Sequence, residues 1–268
     1  MLDVRPSSTL SPLHGVAVKA DTVRLKLLLA YDGRPFRGWQ SQATGDAVQD
    51  SLERAFAKIV GHRIPTHGSG RTDAGVHALG QVAHADVPRA RHTAATWLAA
   101  LNANLPPEIR ILRVTRARPD FHARFDARRK LYTYRIWNAP TLHPLEIGRA
   151  WHIHGHIDLA RLRECAALLT GTHDFASFAA NRRKPDLDTV RTIHRIAIVR
   201  RGPVLTLGFE GSGFLYKMVR ILTGTLLRCA QHRAEPEWIA ALLAAPGLAK
   251  SHYAAPADGL YLTRVIYS

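Results

Sequence analysis

Short strands and single helices alternate along the whole chain, and this alternation most limits the folds that it can adopt. In Thr22–Tyr31 (TVRLKLLLAY) every second residue is apolar, which is the period of a half-buried strand. Asp46–Val60 has a helical period, and Gly61 follows it as a stop. Several connections are too short for crossover helices, which favours antiparallel pairing. The pattern predicts an α+β protein of two halves, each an antiparallel sheet with helices on one face.

The other elements follow the same two periods. Thr93 is predicted to cap a helix that Pro106-Pro107 ends, and Asp158 to cap one that Gly171 ends. Gly68–Gly80 contains four glycines and neither period, so it is predicted to be a loop. The remaining predicted strands are Gln81–Asp86, Ile109–Thr115, Leu131–Trp137, Ala150–His154, Thr189–Arg200, Val204–Phe209 and Leu260–Tyr267, and the remaining predicted helices are Phe214–Cys229 and Glu237–Leu243.

The basic, proline-containing segment Arg116–Pro119 is the predicted domain boundary. It separates an N-terminal α+β domain, residues 22–118, from a C-terminal α+β domain, residues 119–268. Residues 1–21 are rich in proline, serine and small side chains and carry no strand or helix period, so we expect a flexible extension.

Charge is the first indication of a partner. The 268 residues include 37 Lys and Arg but 21 Asp and Glu, a formal net charge of +16. Hydrophobic residues make up 46 % of the chain, which excludes a disordered basic tail. An excess of arginine on a folded body indicates a polyanion, and nucleic acid is the first candidate. Alternative reasons for the charge are solubility and the arginine-rich protein composition that a high-GC genome encodes.

Other classes of protein fit the sequence poorly. The apolar runs fall far short of the roughly 20 residues of a membrane-spanning helix, and the N-terminus resembles no signal peptide. Two cysteines, Cys165 and Cys229, predict no disulfide framework and fit a reducing cytoplasm. His152, His154 and His156 alternate along a predicted strand, but no cysteine or carboxylate completes a ligand set, so no metal is predicted.

The segment Gly70–Ala78 (GRTDAGVHA) places one carboxylate, Asp73, in a glycine-flanked loop beside Arg71. Glycine permits close approach of a ligand, and a neighbouring cation favours an ionised carboxylate. A fixed, ionised carboxylate can act as nucleophile or base. For an arbitrary Arg-Thr-Asp sequence, a structural turn with an Arg–Asp pair is the commoner arrangement. His77 is interpreted first as a support of the loop.

The whole string changes that balance, because Arg71–His77 (RTDAGVH) closely resembles the active-site loop of the bacterial tRNA pseudouridine synthase A family. Further segments resemble the same family in the same order, from about residue 22 to the C-terminus. They are Tyr31–Gln40 (YDGRPFRGWQ), Leu101–Pro106 (LNANLP), Phe121–Ala127 (FHARFDA) with Tyr132–Arg135 (YTYR), Phe175–Phe178 (FASF), Phe214–Arg220 (FLYKMVR) and Pro256–Leu262 (PADGLYL).

The resemblance implies a fold, a reaction and partners. The two sheets would join into one extended sheet with a central basic cleft, the pseudouridine synthase fold. The reaction would be the isomerisation of uridine to pseudouridine at positions 38, 39 and 40 in the anticodon stem-loop of tRNA. It would need no cofactor and no metal. The family works as a homodimer that holds one tRNA across both subunits. A cytoplasmic location and no membrane partner are expected from the cysteine count and the short apolar runs.

The resemblance also implies roles for four residues. Asp73 would be the catalytic nucleophile or base; attack on C6, attack on C1′ and proton abstraction at C2′ all remain open. Tyr132 would stack on the target base, which must leave its own stack. Arg220 would pair with Asp73, and Arg71 would bind phosphate or help to hold the base out. Packing in a half-buried strand is the alternative role of Tyr132, and a solvated surface position that of Arg71.

Clusters of basic residues accompany this site and are predicted to hold the RNA backbone as a group. The basic clusters are Arg116 with Arg118, Arg124, Arg128–Lys130, Arg182–Lys184, and Arg200–Arg201.

Two rival functions remain. One is an RNA-binding protein that has lost the chemistry, and the other is a pseudouridine synthase with another target position or another RNA.

Overall fold

The computed structural model describes residues 22–89, 92–180 and 188–267. The predicted extension 1–21 and the Arg182–Lys184 cluster lie outside them. The described strands are β1 (Thr22–Tyr31), β2 (Thr66–Gly68), β3 (His77–Pro88), β4 (Ile109–Arg116), β5 (Arg129–Trp137), β6 (Trp151–His152), β7 (Gly171–Asp174), β8 (Val190–Arg201), β9 (Val204–Gly211) and β10 (Leu260–Ile266). The described helices are α1 (Val48–Val60), α2 (Ala94–Asn104), α3 (Leu159–Leu168), α4 (Met218–Ala230) and α5 (Pro236–Ala244).

One continuous sheet contains all of the described strands. Its order is β4-β1-β3-β10-β5-β9-β8-β7, with β2 paired to β3 and β6 to β5. The last strand, β10, joins the halves because it lies between β3 and β5. The prediction of an α+β protein with one extended sheet is confirmed. Pairing is antiparallel except at the junction β3–β10 and between β5 and β6, where it is parallel.

One face of this sheet is the more deeply buried. On β1, Leu25, Leu27 and Leu29 are almost completely buried, whereas the residues between them are partly exposed. Residues directly opposite each other in a ladder share a face. Tyr31 lies opposite Ala78, Ala78 opposite Leu262, and Leu262 opposite Tyr132. The buried face therefore runs without interruption from the first half into the second, and it carries both tyrosines.

The helices pack as two groups over the two halves. Helix α1 packs against α2, with the rings of Phe56 and Trp97 5.7 Å apart, and α3 packs against α4 and α5. The predicted caps are confirmed: Thr93 accepts a hydrogen bond from the Thr96 amide, and Asp158 accepts bonds from the Ala160 and Arg161 amides. These caps depend on adjacent residues and can therefore be inferred from sequence.

Several predicted boundaries were wrong. The Gly68–Gly80 loop is shorter, because β3 already begins at His77, where it pairs with β10. The Ala150–His154 strand keeps two paired residues as β6. Helix α4 begins at Met218 rather than Phe214, because Lys217 has a left-handed φ of 59°. Gly171 starts β7 instead of ending α3, whose C-cap is Leu169.

Candidate active site

The loop between β2 and β3, residues 69–76, is held from the first half of the chain. The Trp39 amide donates to the Thr72 carbonyl at 3.1 Å, and the hydroxyls of Tyr31 and Thr72 are 2.8 Å apart. The Val76 amide donates to the Asp73 carbonyl at 3.1 Å, which closes a turn around Asp73. These bonds fix the backbone that presents the Asp73 carboxylate.

Two glycines of the Tyr31–Gln40 segment allow this loop to pack closely. Gly38 has a φ of +85°, and a Cβ there would lie 2.5 Å from the Thr72 carbonyl oxygen. A Cβ on Gly33 would lie 2.1 Å from the Val76 carbonyl oxygen. No side chain fits at either distance, so both positions require glycine. The family-like segment and the family-like loop therefore form one packed unit.

The start of the loop depends on residues that the sequence did not single out. The buried Gln81 side chain donates to the Gly70 carbonyl at 3.0 Å and accepts from the Ser69 hydroxyl at 2.6 Å. From the second half, the Lys130 ammonium donates to the Ser69 carbonyl at 2.7 Å. Gln81 had no signal beyond its place in a strand, and Lys130 was one member of a basic cluster.

The structure brings Asp73 and Arg220 together. Arg220 Nη1 lies 3.2 Å from Asp73 Oδ2, and the two side chains are 15 % and 18 % exposed, Arg220 being the lower. Arg220 Nε donates to the Ala255 carbonyl at 2.7 Å, and the Ala255 amide donates to the Arg220 carbonyl at 3.0 Å. The Nε bond thus orients the guanidinium, the backbone bond holds the Ala255 segment beside α4, and Nη1 holds the carboxylate. Enough of Asp73 remains exposed to reach a ligand.

Arg71 points elsewhere. Its Nε donates to Gln40 Oε1 at 2.9 Å, and the residue is exposed. The cation that contacts Asp73 is therefore Arg220 of α4 and not the sequence neighbour Arg71. The exposed guanidinium of Arg71 remains available to a ligand at the rim of the site.

Tyr132 lies on β5, on the buried face of the sheet. It is 8 % exposed, and its ring meets that of Phe214 edge to face with centroids 5.2 Å apart. Burial, reinforced by the nearby Tyr31 and Asp73, raises the pKa of Tyr132 above its usual value, so it is a neutral phenol at pH 7. The structure therefore places a neutral aromatic ring within the electrostatic reach of Asp73.

His77 supports the loop, as expected. Its Nδ1 accepts from the Gly33 amide at 3.1 Å, which assigns the proton to Nε2, 3.0 Å from the Gly148 carbonyl. Its ring stacks on Tyr261 with centroids 4.6 Å apart. Burial lowers the pKa of His77, consistent with a neutral structural imidazole.

The pKa of the Lys130 ammonium is strongly shifted. Burial, followed by the charges of Arg124 and Arg191, lowers the pKa of Lys130 from 10.5 to about 8. Between pH 8 and 10.5 the unfolded chain then binds more protons at this residue than the folded chain does. The contribution of Lys130 to the free energy of unfolding must therefore rise with pH through this range.

We expect this rise to disappear in Lys130→Met. Urea unfolding of the wild type and the variant at several pH values between about 7 and 10 measures the pH dependence of the unfolding free energy. The two proteins are compared because their buried tyrosines affect both equally. The difference in unfolding free energy, wild type minus variant, should increase with pH above about 8. A difference that stays constant would contradict the proton linkage.

The described residues provide neither a metal site nor a membrane span. No group of three or more His, Cys, Asp or Glu side chains within ranges 22–89, 92–180 and 188–267 could hold a metal ion. In the same part of the chain, no helix has the length and apolar character needed to cross a membrane.

Comparison with known proteins decides the family. The family model described as tRNA pseudouridine synthase matches residues 28–126 and 165–268, which include Asp73 and Arg220. The chain belongs to this family. A tRNA pseudouridine synthase A of Akkermansia muciniphila is 47 % identical over 253 residues, 91 % of this chain and 95 % of that protein.

A second relative has the same name, whereas the similarity to a solved structure is distant. A tRNA pseudouridine synthase A of Geobacillus kaustophilus is 42 % identical and covers 92 % of this chain and 95 % of its own length. Among solved structures, a chain of a Cbf5–Nop10–Gar1 complex aligns over 76 % of this chain and 45 % of its own length. Its identity of 11 % and TM-score of 0.35 are too low to support an argument.

Proposed function

We propose that this member of the tRNA pseudouridine synthase family isomerises uridine to pseudouridine at positions 38, 39 and 40 in the anticodon stem-loop of tRNA. The single observation that carries the proposal is the contact between Asp73 of the family-like loop and Arg220 of α4, at 3.2 Å and still partly exposed. Relatives named tRNA pseudouridine synthase A, 47 % and 42 % identical, support tRNA as the substrate. The positions in the tRNA follow from the resemblance of the motifs.

The reaction breaks the bond between N1 of uracil and C1′ of ribose and forms a bond between C5 and C1′. The proton that C5 loses is balanced by the one that N1 gains, so no atom or electron is added. We propose Asp73 as the catalytic carboxylate. Attack on C6, attack on C1′ and abstraction at C2′ each begin from an ionised oxygen such as Asp73 Oδ1 or Oδ2.

The other three residues would hold the substrate. We propose that Tyr132 stacks on the extruded uracil, since its ring lies on the same sheet face as Tyr31 and near Asp73. Arg220 orients the Asp73 carboxylate. Arg71 contacts the RNA at the rim and supports the opened base, because its guanidinium is exposed and its Nε bond to Gln40 holds it beside the loop. A bound base surrounded in this way excludes the water that could trap an intermediate.

We also propose the remaining features predicted from the sequence and from the resemblance. The enzyme acts in the cytoplasm as a homodimer that holds one tRNA across both subunits, without a cofactor or metal. The division into residues 22–118 and 119–268 stays a prediction.

Mapping of pseudouridine tests this proposal. Purified protein is incubated with unmodified tRNA transcripts, and cellular RNA is compared between cells with and without the gene. We expect pseudouridine at positions 38 to 40 that depends on the protein. Pseudouridine at another site would identify a different target, and salt-sensitive tRNA binding without any pseudouridine would identify an RNA-binding protein that lacks the chemistry.

A further inference from the structure

The Lys130 ammonium occupies an unusual position beside the proposed active site. Lys130 and Tyr132 are two residues apart on β5, so they share the buried face, with Cα atoms about 7 Å apart. Lys130 Nζ donates to the Ser69 carbonyl at 2.7 Å, at the start of the Asp73 loop. A Cβ on Gly70 would lie 3.1 Å from the same nitrogen, so the loop backbone approaches it closely. The ammonium thus lies against the start of the loop, on the strand that carries Tyr132.

This cation has no counter-ion in the described part of the chain. No carboxylate of residues 22–89, 92–180 or 188–267 lies within 4.0 Å of Lys130 Nζ. Arg24 of β1 and Arg129 of β5 differ from it, since Arg24 pairs with Asp86 and Arg129 with Glu210. An ammonium has three N–H donors, and the described residues supply Lys130 with one hydrogen-bond acceptor, a neutral carbonyl.

Two guanidinium groups repel the Lys130 ammonium. Both Arg124 and Arg191 disfavour its charged form, and no carboxylate among the described residues counters them. Arg191 contacts Asp188 at 3.4 Å, but the Asp188 side chain is 77 % exposed and lies toward solvent. The ladder register places Arg191 near Lys130, because Gly211 of β9 lies opposite both Lys130 and Ile193, two residues from Arg191 on β8. A half-buried charge without a counter-ion is costly, and an anion beside Lys130 would reduce that cost.

We propose that Lys130, together with Arg124 and Arg191, binds a backbone phosphate of the RNA at or next to the nucleotide whose base meets Tyr132. This proposal rests on the proposed function, because it takes RNA as the ligand. A phosphodiester suits the site because it is a compact monoanion with oxygens for an ammonium and for guanidinium forks. The cluster would hold the backbone while the base turns toward Asp73, and it would position rather than react.

Binding of unmodified tRNA over a series of salt concentrations tests the subsite. Every protein carries Asp73→Asn, so that no turnover disturbs the equilibrium. The variants are Lys130→Met, Lys130→Arg and, as a matched control, Lys58→Met in the last turn of α1. Lys130→Met should weaken binding about tenfold and reduce the slope of log K against log salt by about 0.7–0.9, the value for one phosphate. Lys130→Arg should keep the slope, and Lys58→Met should change neither quantity.

The outcomes distinguish a phosphate subsite from a purely structural lysine. A Lys130→Met protein that binds more weakly with an unchanged slope would assign Lys130 a structural role only and overturn the proposal, as would unchanged binding. Arg124→Met, an exposed change outside the contacts of Ser69, should also reduce the slope, and an unchanged slope would overturn the assignment of Arg124 to the subsite. The mapping of pseudouridine is independent of this measurement. A protein that makes no pseudouridine but shows the slope change keeps the phosphate subsite and loses the proposed activity.

Discussion

Asp73→Asn should abolish pseudouridine formation, with the single-turnover rate on a tRNA transcript falling by at least about 10⁴-fold, the scale seen when one catalytic group is removed. Asparagine has the shape of aspartate but no charge, so it can act neither as nucleophile nor as base. The loop should keep its conformation, because the bonds from Trp39, Tyr31 and Val76 involve other atoms. Binding of tRNA should therefore stay within about threefold of wild type.

The Asp73 experiment needs a charge control and a shape control. Asp120→Asn removes the same charge from an exposed side chain, 76 % accessible, and should leave the rate unchanged. Asp73→Ala removes the side chain and should be as inactive as Asp73→Asn. Full activity in both Asp73 variants would rule out the catalytic role of this residue.

Arg220→Met should produce the second large loss, a fall in single-turnover rate of about 10²–10³-fold with tRNA affinity nearly unchanged. The variant loses the 3.2 Å contact that orients Asp73 and the Nε bond to the Ala255 carbonyl. Arg220→Lys should recover part of the rate, because an ammonium restores charge but cannot make both contacts from one rigid plane. The unfolding free energy should fall by about 1–3 kcal/mol, less than the roughly 3–5 for a completely buried pair.

A double variant distinguishes positioning from an independent contribution. If Arg220 acts through Asp73, the double variant Asp73→Asn with Arg220→Met should be no slower than Asp73→Asn alone. The matched control is Arg113→Met, on the exposed side of β4, which should keep the wild-type rate. A wild-type rate in Arg220→Met would contradict the positioning role.

Local features of the fold could be predicted from the sequence. The bounds of β1 and the caps Thr93 and Asp158 were correct, because periodicity and capping depend on residues that are adjacent in the chain. The loop before β3 was drawn too long. His77–Gly80 contains two small residues and has no strong strand period, and it becomes a strand through pairing with β1 and β10.

Some residues of the candidate site could also be predicted from the sequence, and others could not. The residue types of the Arg71–His77 string, with collinear matches elsewhere, were enough to single out Asp73, Tyr132 and Arg220. Gln81 and Lys130 were not singled out, because a glutamine or lysine in a strand has no sequence signal for a bond to a particular loop carbonyl. Their contacts join residues 11 and 61 positions apart.

The sequence by itself determined the α+β class, the caps and the chemical identity of the loop, because each is a property of neighbouring residues. The tertiary structure alone decided that β10 joins the halves by a parallel pair with β3, and that the cation on Asp73 is Arg220, 147 positions away, instead of the adjacent Arg71. It also decided that Lys130 is half-buried without a carboxylate from the described residues beside it. Ladder partners and ion pairs depend on which distant segments meet when the sheet closes over its core, and no local period carries that information.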